Sequence, residues 1–355
     1  MDDTKNNSSR ERDMAYRKEI LSKLFGFVRR TDSFHVIGAA SMGKTRLLDF
    51  LMLSDVQEYY LGDAAPKTWL VRVDLNRIPV DEDYQFTFFE LLLSSIILCC
   101  ISQKEVNEEI MKELVSLDSD IIKSRNLLLA LRFFEWEVSK ICQTYGIKLC
   151  FLFDEFDEMY RKLPPEVFAQ LRAVRDANKS HLLYGMFLRV LPKKLRERDD
   201  NESFYELFSR NLIGIGPYTR TDVINIIKHL EKDWEIKLTP EKREQIGTAS
   251  GGHPGIVKAL LSLIKDPLIA QEMENEDWIT WFSKQETILE ECAKIWGGLA
   301  EDERLTLLGH SQDGNIDSPT TQLLVIKGIL QKTDNSREVF SPFFKQYIRS
   351  GFAKA

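Results

Sequence analysis

The chain has 355 residues and a mass of 41.2 kDa, enough for two or three structural units, one of them a sizeable core. Its 43% hydrophobic and 29% charged residues describe an ordinary globular composition, not a low-complexity or fibrous one. A net charge of −7 and a pI near 5.5 argue against broad electrostatic capture of DNA or anionic membrane, leaving only local basic patches for such a purpose.

Residues 1–14 are polar and charged, are expected to be disordered and lack the apolar segment of a signal peptide. Tyr16 to Phe27 has helical spacing of Ile20, Leu21, Leu24 and Phe25. Ser33 to Ile37 (SFHVI) reads as a short strand, and Arg46 to Leu53 (RLLDFLML) as the start of an apolar helix. Between them lies GAASMGKT, a complete G-x-x-x-x-G-K-[ST] loop: Gly38, Ala39, Ala40, Ser41, Met42, Gly43, Lys44 and Thr45. The glycines let backbone N–H groups curl around phosphates, Lys44 reaches the β- and γ-oxygens, and the Thr45 hydroxyl can ligate Mg²⁺. The helix beginning at Arg46 turns its N-terminus to the anion.

Trp69 to Leu75 (WLVRVDL) is a second strand, followed by helical patterns at Phe86 to Cys100, Val106 to Leu117 and Ile121 to Tyr145. The longest apolar stretch, Leu91 to Ile101, is too short to span a bilayer and reads as a buried helix. Lys148 to Asp154 (KLCFLFD) is a continuous apolar run ending in an acid, the pattern of a buried parallel strand. It delivers Asp154 and Glu155 at its C-terminal end, where ligands bind in open α/β sheets. Asp154 would hold Mg²⁺ through water and Glu155 would orient the attacking water, while Asp157 and Glu158 read as solvated helix-start acids. A helix at Pro165 to Asn178 and strands at Leu182 to Val190 and Asn211 to Ile215 complete a parallel sheet covered on both faces.

After Gly216-Pro217 the pattern is helix upon helix. Thr219 and Asp222 have capping-box spacing before Val223 to Leu230, Thr239 to Ala249 is stopped by Gly251-Gly252, and Pro254 opens a helix through Ile264. The last seventy or so residues show three helices (Glu286 to Trp296, Asp302 to Leu308, Pro319 to Lys327), a hairpin (Ile329 to Thr333 with Glu338 to Ser341) and a terminal helix, a winged-helix pattern. The expected organisation is therefore a P-loop core over 15–217, an all-helical lid over 218–284 and a winged-helix unit over 285–355. Five cysteines without C-x-x-C spacing read as buried thiols in a reducing compartment, so the cytoplasm is the expected location.

These residues resemble the AAA+-like P-loop ATPases, most of all the STAND branch (signal-transduction ATPases with numerous domains) and the related origin-recognition and initiator ATPases. The resemblance rests on Gly38–Thr45, Leu152–Glu155, the strand ending at Arg189, Ser209-Arg210, Pro217-Tyr218-Thr219 and Gly251-Gly252-His253-Pro254. It implies a polar sensor at Arg189 and an arginine finger at Arg210. It places Arg46, Pro217, His253 and Pro254 at the nucleotide, with His253 able to touch the β-phosphate. Initiators would show an arginine in the helix after the lid glycines; here only Lys258 could substitute, which favours the STAND branch. The third helix of the C-terminal unit offers only Gln322 and Lys327, thin equipment for base or phosphate contacts.

The expected function is a slowly hydrolysing ATP–Mg²⁺ switch that works with protein partners or by self-assembly, without a membrane. A DNA-acting initiator or loader ATPase is the alternative, and a binding module that does not hydrolyse its nucleotide is a third reading that the intact Glu155 disfavours.

Overall fold

The computed structural model describes residues 14, 16–79, 83–103, 108–197, 202–266, 278–313, 317–333 and 336–350. Apart from Met14, the segment expected to be disordered lies outside them.

Five strands form one parallel sheet: β1 (Phe34–Gly38), β2 (Thr68–Asp74), β3 (Lys148–Asp154), β4 (Leu182–Leu188) and β5 (Leu212–Ile215), in the order β2-β3-β4-β1-β5. Every residue of β1 and β4 is buried, as is β3 beyond Lys148. That burial explains why these strands read as continuous apolar runs and not as alternating ones. The β3–β4 and β4–β1 registers, running from Leu149↔Leu182 to Phe153↔Met186 and from Phe34↔Gly185 to Ile37↔Leu188, bring the C-terminal ends of β1, β3 and β4 to one edge.

Two apolar layers cover the sheet. On one face an aromatic cluster joins Phe88, Phe89, Phe134, Phe151, Phe153, Phe156, Tyr184 and Phe204 with the helices Tyr84–Ile101, Glu108–Ser124 and Leu127–Ser139. Tyr84–Ile101 is apolar and long enough to cross a membrane, yet 61% of it is buried here as the core helix packed on β2. The single helix expected over Ile121 to Tyr145 is divided. Arg125 adopts φ 46°, and the Asn126 side chain accepts the Leu128 and Leu129 amides at 2.9 and 3.2 Å, starting a new helix.

The other face carries the helix Lys44–Leu51 and then one continuous apolar cluster that runs into the C-terminal half of the chain. Helices Arg220–Trp234, Pro240–Ser250 and Pro254–Ile264 follow β5. Thr219 caps the first of these: its Oγ1 accepts the Asp222 amide at 3.2 Å and donates to Asp222 Oδ2 at 2.8 Å. Helices Glu286–Gly297, Glu301–Asp313 and Pro319–Ile326 then lead to an antiparallel hairpin of β6 (Leu330–Lys332) and β7 (Arg337–Val339) and to the helix Pro342–Arg349.

The C-terminal segment packs directly on the sheet. A methyl group on Gly214 in β5 would collide with the Ile326 carbonyl, and one on Gly216 would lie 3.3 Å from Gly328 Cα. Lys327 and Glu303 form an ion pair at 2.7 Å with both side chains fully buried. Lys327, read from the sequence as a surface cation of the third helix, is thus inside the fold.

Candidate nucleotide site

The loop between β1 and the helix Lys44–Leu51 is bent by two left-handed residues, Ser41 (φ 54°) and Gly43 (φ 86°). Glycine at 43 answers a double need. It takes the positive φ without strain, and a methyl there would lie 2.9 Å from the Tyr218 hydroxyl. Lys44 folds back over the loop, donating to the Gly38 and Ala39 carbonyls at 2.9 and 3.0 Å. Burial lowers its pKa to about 8, partly offset by the nearby Glu155 carboxylate. Thr45 is exposed at the start of the helix.

Asp154, at the end of β3, is 3% exposed. Its Oδ2 accepts from Arg72 at 2.9 Å, whereas Oδ1 is buried without a hydrogen-bond partner. An orphaned buried carboxylate oxygen beside Thr45's loop is what a Mg²⁺-bound water would satisfy, so the donor set fits that ion. Arg72 was not foreseen; it also bonds Asp49 on the helix after the loop at 2.6 Å and so ties β2 to both elements.

Glu155 has φ 54° and forms an ion pair with Arg189, just beyond the end of β4. The two residues singled out as water-orienting acid and polar sensor therefore hold one another. Asp157 is more than a helix-start acid. Its carboxylate accepts the backbone amides of Arg189 (2.9 and 3.0 Å) and Val190 (2.9 Å), fixing the end of β4 beside β3. Glu158 is exposed and pairs with Lys162.

The loop opens into a cavity of about 550 Å³. Its walls come from three places: loop and core (Ser41 to Arg46, Glu155), the helices that follow β5 (Ile226, Trp234, Pro254, Lys258), and the helix Glu286–Gly297 (Thr287, Glu290, Glu291, Lys294). A volume of this size suits a nucleotide.

His253 is fully buried. Its Nε2 donates to the Ala40 carbonyl at 3.0 Å and its Nδ1 accepts the Ile256 amide at 3.3 Å, so both ring nitrogens are used. Burial lowers its pKa to about 4. In this arrangement His253 ties the helix Pro254–Ile264 to the loop instead of presenting a nitrogen to phosphate. Pro217 sits at the seam with Gly328. Arg46 is exposed, its guanidinium 5.9 Å from the Tyr16 ring centre.

Arg210 is exposed in the turn before β5. Neighbouring Asn211 accepts the His35 amide at 3.0 Å, which puts Arg210 at the N-terminal edge of the sheet. A four-residue strand (about 13 Å) separates it from the edge carrying the loop.

One further clamp escaped sequence reading. Arg17 donates to the Met42 carbonyl at 2.9 Å and to the Gly216 carbonyl at 3.0 Å, and its guanidinium lies 4.4 Å from the Tyr218 ring centre. Tyr16 meets Tyr218 hydroxyl to hydroxyl at 3.3 Å. Only the tyrosine and arginine directly before the first helix hinted at this, and such a pair is common.

No protein-family model matches the chain, and no curated protein sequence does. Among solved structures it is similar to the Walker-type ATPase PABY2304 of Pyrococcus abyssi, with 14% identity and a TM-score of 0.54, over 94% of this chain and 95% of that one. It is also similar to the ORC2 protein of Aeropyrum pernix in its ADPNP–ADP complexes, at 12% identity and a TM-score of 0.48, over 96% and 95% of the two chains. The chain shares the fold of that Walker-type ATPase, with the loop between β1 and the helix Lys44–Leu51 of a parallel sheet. In that fold the loop, Asp154 and Glu155 lie together at the C-terminal edge of the parallel sheet, where a ligand is expected.

Proposed function

We propose that the chain binds ATP with Mg²⁺ in this cavity, hydrolyses it slowly, and uses the nucleotide state to set how its C-terminal half sits on the core. The observation that supports this best is the cavity's third wall: a pocket walled by loop, lid and the helix Glu286–Gly297 together cannot be filled without acting on all three.

Loop amides and Lys44 would bind the phosphates, with Lys44 exchanging two carbonyl partners for phosphate oxygens. Thr45 and Asp154 would hold Mg²⁺, which when bound neutralises charge on the phosphates. Glu155 would orient water, and the γ-phosphate would draw Arg189 away from it. The ion pair seen here is then the resting state of that acid. Arg210, far from its own loop, could act only on a neighbouring copy.

The C-terminal unit reads as a winged helix used as a brace. Its third helix ends against β5 and its Lys327 is buried, features that count against groove binding in this arrangement and favour the switch over the DNA-acting alternative. Partner proteins or further copies of the chain would receive the signal. Light scattering with ADP, with ATP–Mg²⁺ and without nucleotide, on wild type and Glu155→Gln, tests this. The switch reading requires Glu155→Gln to bind ATP, fail to turn it over and stay in its ATP-dependent form. Unchanged turnover in that variant would remove the mechanism, and salt-sensitive duplex binding would support the alternative.

A further inference from the structure

We propose that Glu291 is an internal anion that competes with nucleotide phosphate and biases the cavity toward the diphosphate; this rests on the nucleotide reading given above. Glu291 lies on the helix Glu286–Gly297 with its side chain 14% exposed. Its Oε1 takes the Lys294 ammonium at 2.6 Å, while Oε2 is buried without a hydrogen-bond partner. A methyl group built on Gly255 would collide with Oε2 and would come within 3.0 Å of Ser41 Cβ. The carboxylate, the first turn of the helix Pro254–Ile264 and the middle of the phosphate loop therefore converge. Two turns further on, at the end of the helix, a methyl on Gly298 would lie 3.3 Å from Ala40 Cβ, so this helix rests on the loop.

Both neighbours of Oε2 attract negative charge. The eleven-residue helix Pro254–Ile264 presents its positive N-terminal end, and the loop is shaped for phosphate. Glu291 thus stands in an anion's surroundings, and a polyphosphate in the cavity must share that space with it. Like charges a few ångströms apart in a partly buried cavity repel strongly, and a triphosphate carries one more charge than a diphosphate. The diphosphate leaves the helix in place, and the triphosphate pushes the carboxylate, and with it the C-terminal half, away from the loop. Lys294, 56% exposed, is free to turn from Glu291 to the incoming phosphate.

The test is calorimetric titration of the full chain with ADP and with a non-hydrolysable ATP analogue, both with Mg²⁺. The wild type is expected to bind ADP more tightly. Glu291→Gln should tighten the triphosphate roughly ten-fold or more and ADP clearly less. Glu286→Gln, on the same helix but exposed and outside the cavity lining, should move either by less than about three-fold. A triphosphate-to-diphosphate ratio unchanged in Glu291→Gln would overturn the inference while leaving the nucleotide reading intact. Failure of the wild type to bind either nucleotide would overturn both. Should Glu291→Gln not fold, Glu291→Asp, which withdraws the carboxylate by one methylene, must shift the ratio in the same direction or the inference falls.

Discussion

Replacing Lys327 by Met tests whether the C-terminal unit is held in the way the packing indicates. Nζ lies 2.7 Å from Glu303 Oε1 and donates to Oε2 at 2.8 Å, with neither side chain exposed. Glu303 Oε2 also accepts the Ala300 amide at 2.9 Å, so the carboxylate caps its own helix as well as pairing. Burial lowers the Lys327 pKa, opposed chiefly by Glu303. Removing the lysine leaves a carboxylate in an apolar seam with one backbone donor, a situation that costs about 3–5 kcal/mol. Adding Glu303→Gln removes the orphaned charge while keeping an oxygen for Ala300, and should restore at least half of the loss. Differential scanning calorimetry is the assay. At roughly 1–2 °C per kcal/mol for a chain of 355 residues, Lys327→Met should lower the melting temperature by about 3–10 °C, or split off an early transition if the C-terminal unit melts alone. A drop below about 2 °C, or a double variant no better than the single, would refute the reasoning.

Gly43→Ala should weaken nucleotide binding roughly ten- to a hundred-fold, the equivalent of about 1–3 kcal/mol of backbone strain and a contact with Tyr218, as read by titration calorimetry. Unchanged affinity would mean the nucleotide does not use this turn. Acid should destabilise the protein through two buried neutral histidines. His35, bonded to the Phe208 carbonyl at 3.1 Å, and His253 both have pKa values lowered by burial to about 4. Around His253, Glu291 favours its charged form, while Lys44 and Arg17 oppose it. Between pH 6.5 and 4 the unfolded chain binds protons that the native one refuses. Stability is therefore full above pH 6.5 and declines as pH falls, by about 3 kcal/mol for the pair at pH 5.5. Thermal melts between pH 7.5 and 5 check this, and His253→Gln should halve the slope; a flat profile would contradict it.

The middle of the sheet was legible because β1, β3 and β4 are buried on both faces and so read as unbroken apolar runs. Lys148 to Asp154 matched to the residue. The loop was legible because its chemistry is local: eight consecutive residues supply the turn, the cation and the hydroxyl. What stayed hidden was long-range. Arg17 lies 199 residues from Gly216, and His253 lies 213 residues from Ala40; no periodicity announces such partners. The Ile121 to Tyr145 region looked like one helix because apolar spacing continues through it, while the Asn126 cap that divides it is a single residue. Lys327 read as a surface cation because its partner Glu303 sits on a different helix, and Asp157 read as a solvated acid because its bonds go to backbone amides 32 and 33 residues away.

The central claim is that nucleotide in the loop governs the seat of the C-terminal half. Hydrogen–deuterium exchange on Glu155→Gln without nucleotide, with ADP–Mg²⁺ and with ATP–Mg²⁺ tests it most directly. The account predicts protection of Gly38 to Arg46 with both nucleotides, and faster exchange in Glu286–Gly297 and around Ile326 to Gly328 with ATP alone. Protection of the loop without any change in the C-terminal segments would contradict the coupling, and no protection of the loop by either nucleotide would contradict the site itself.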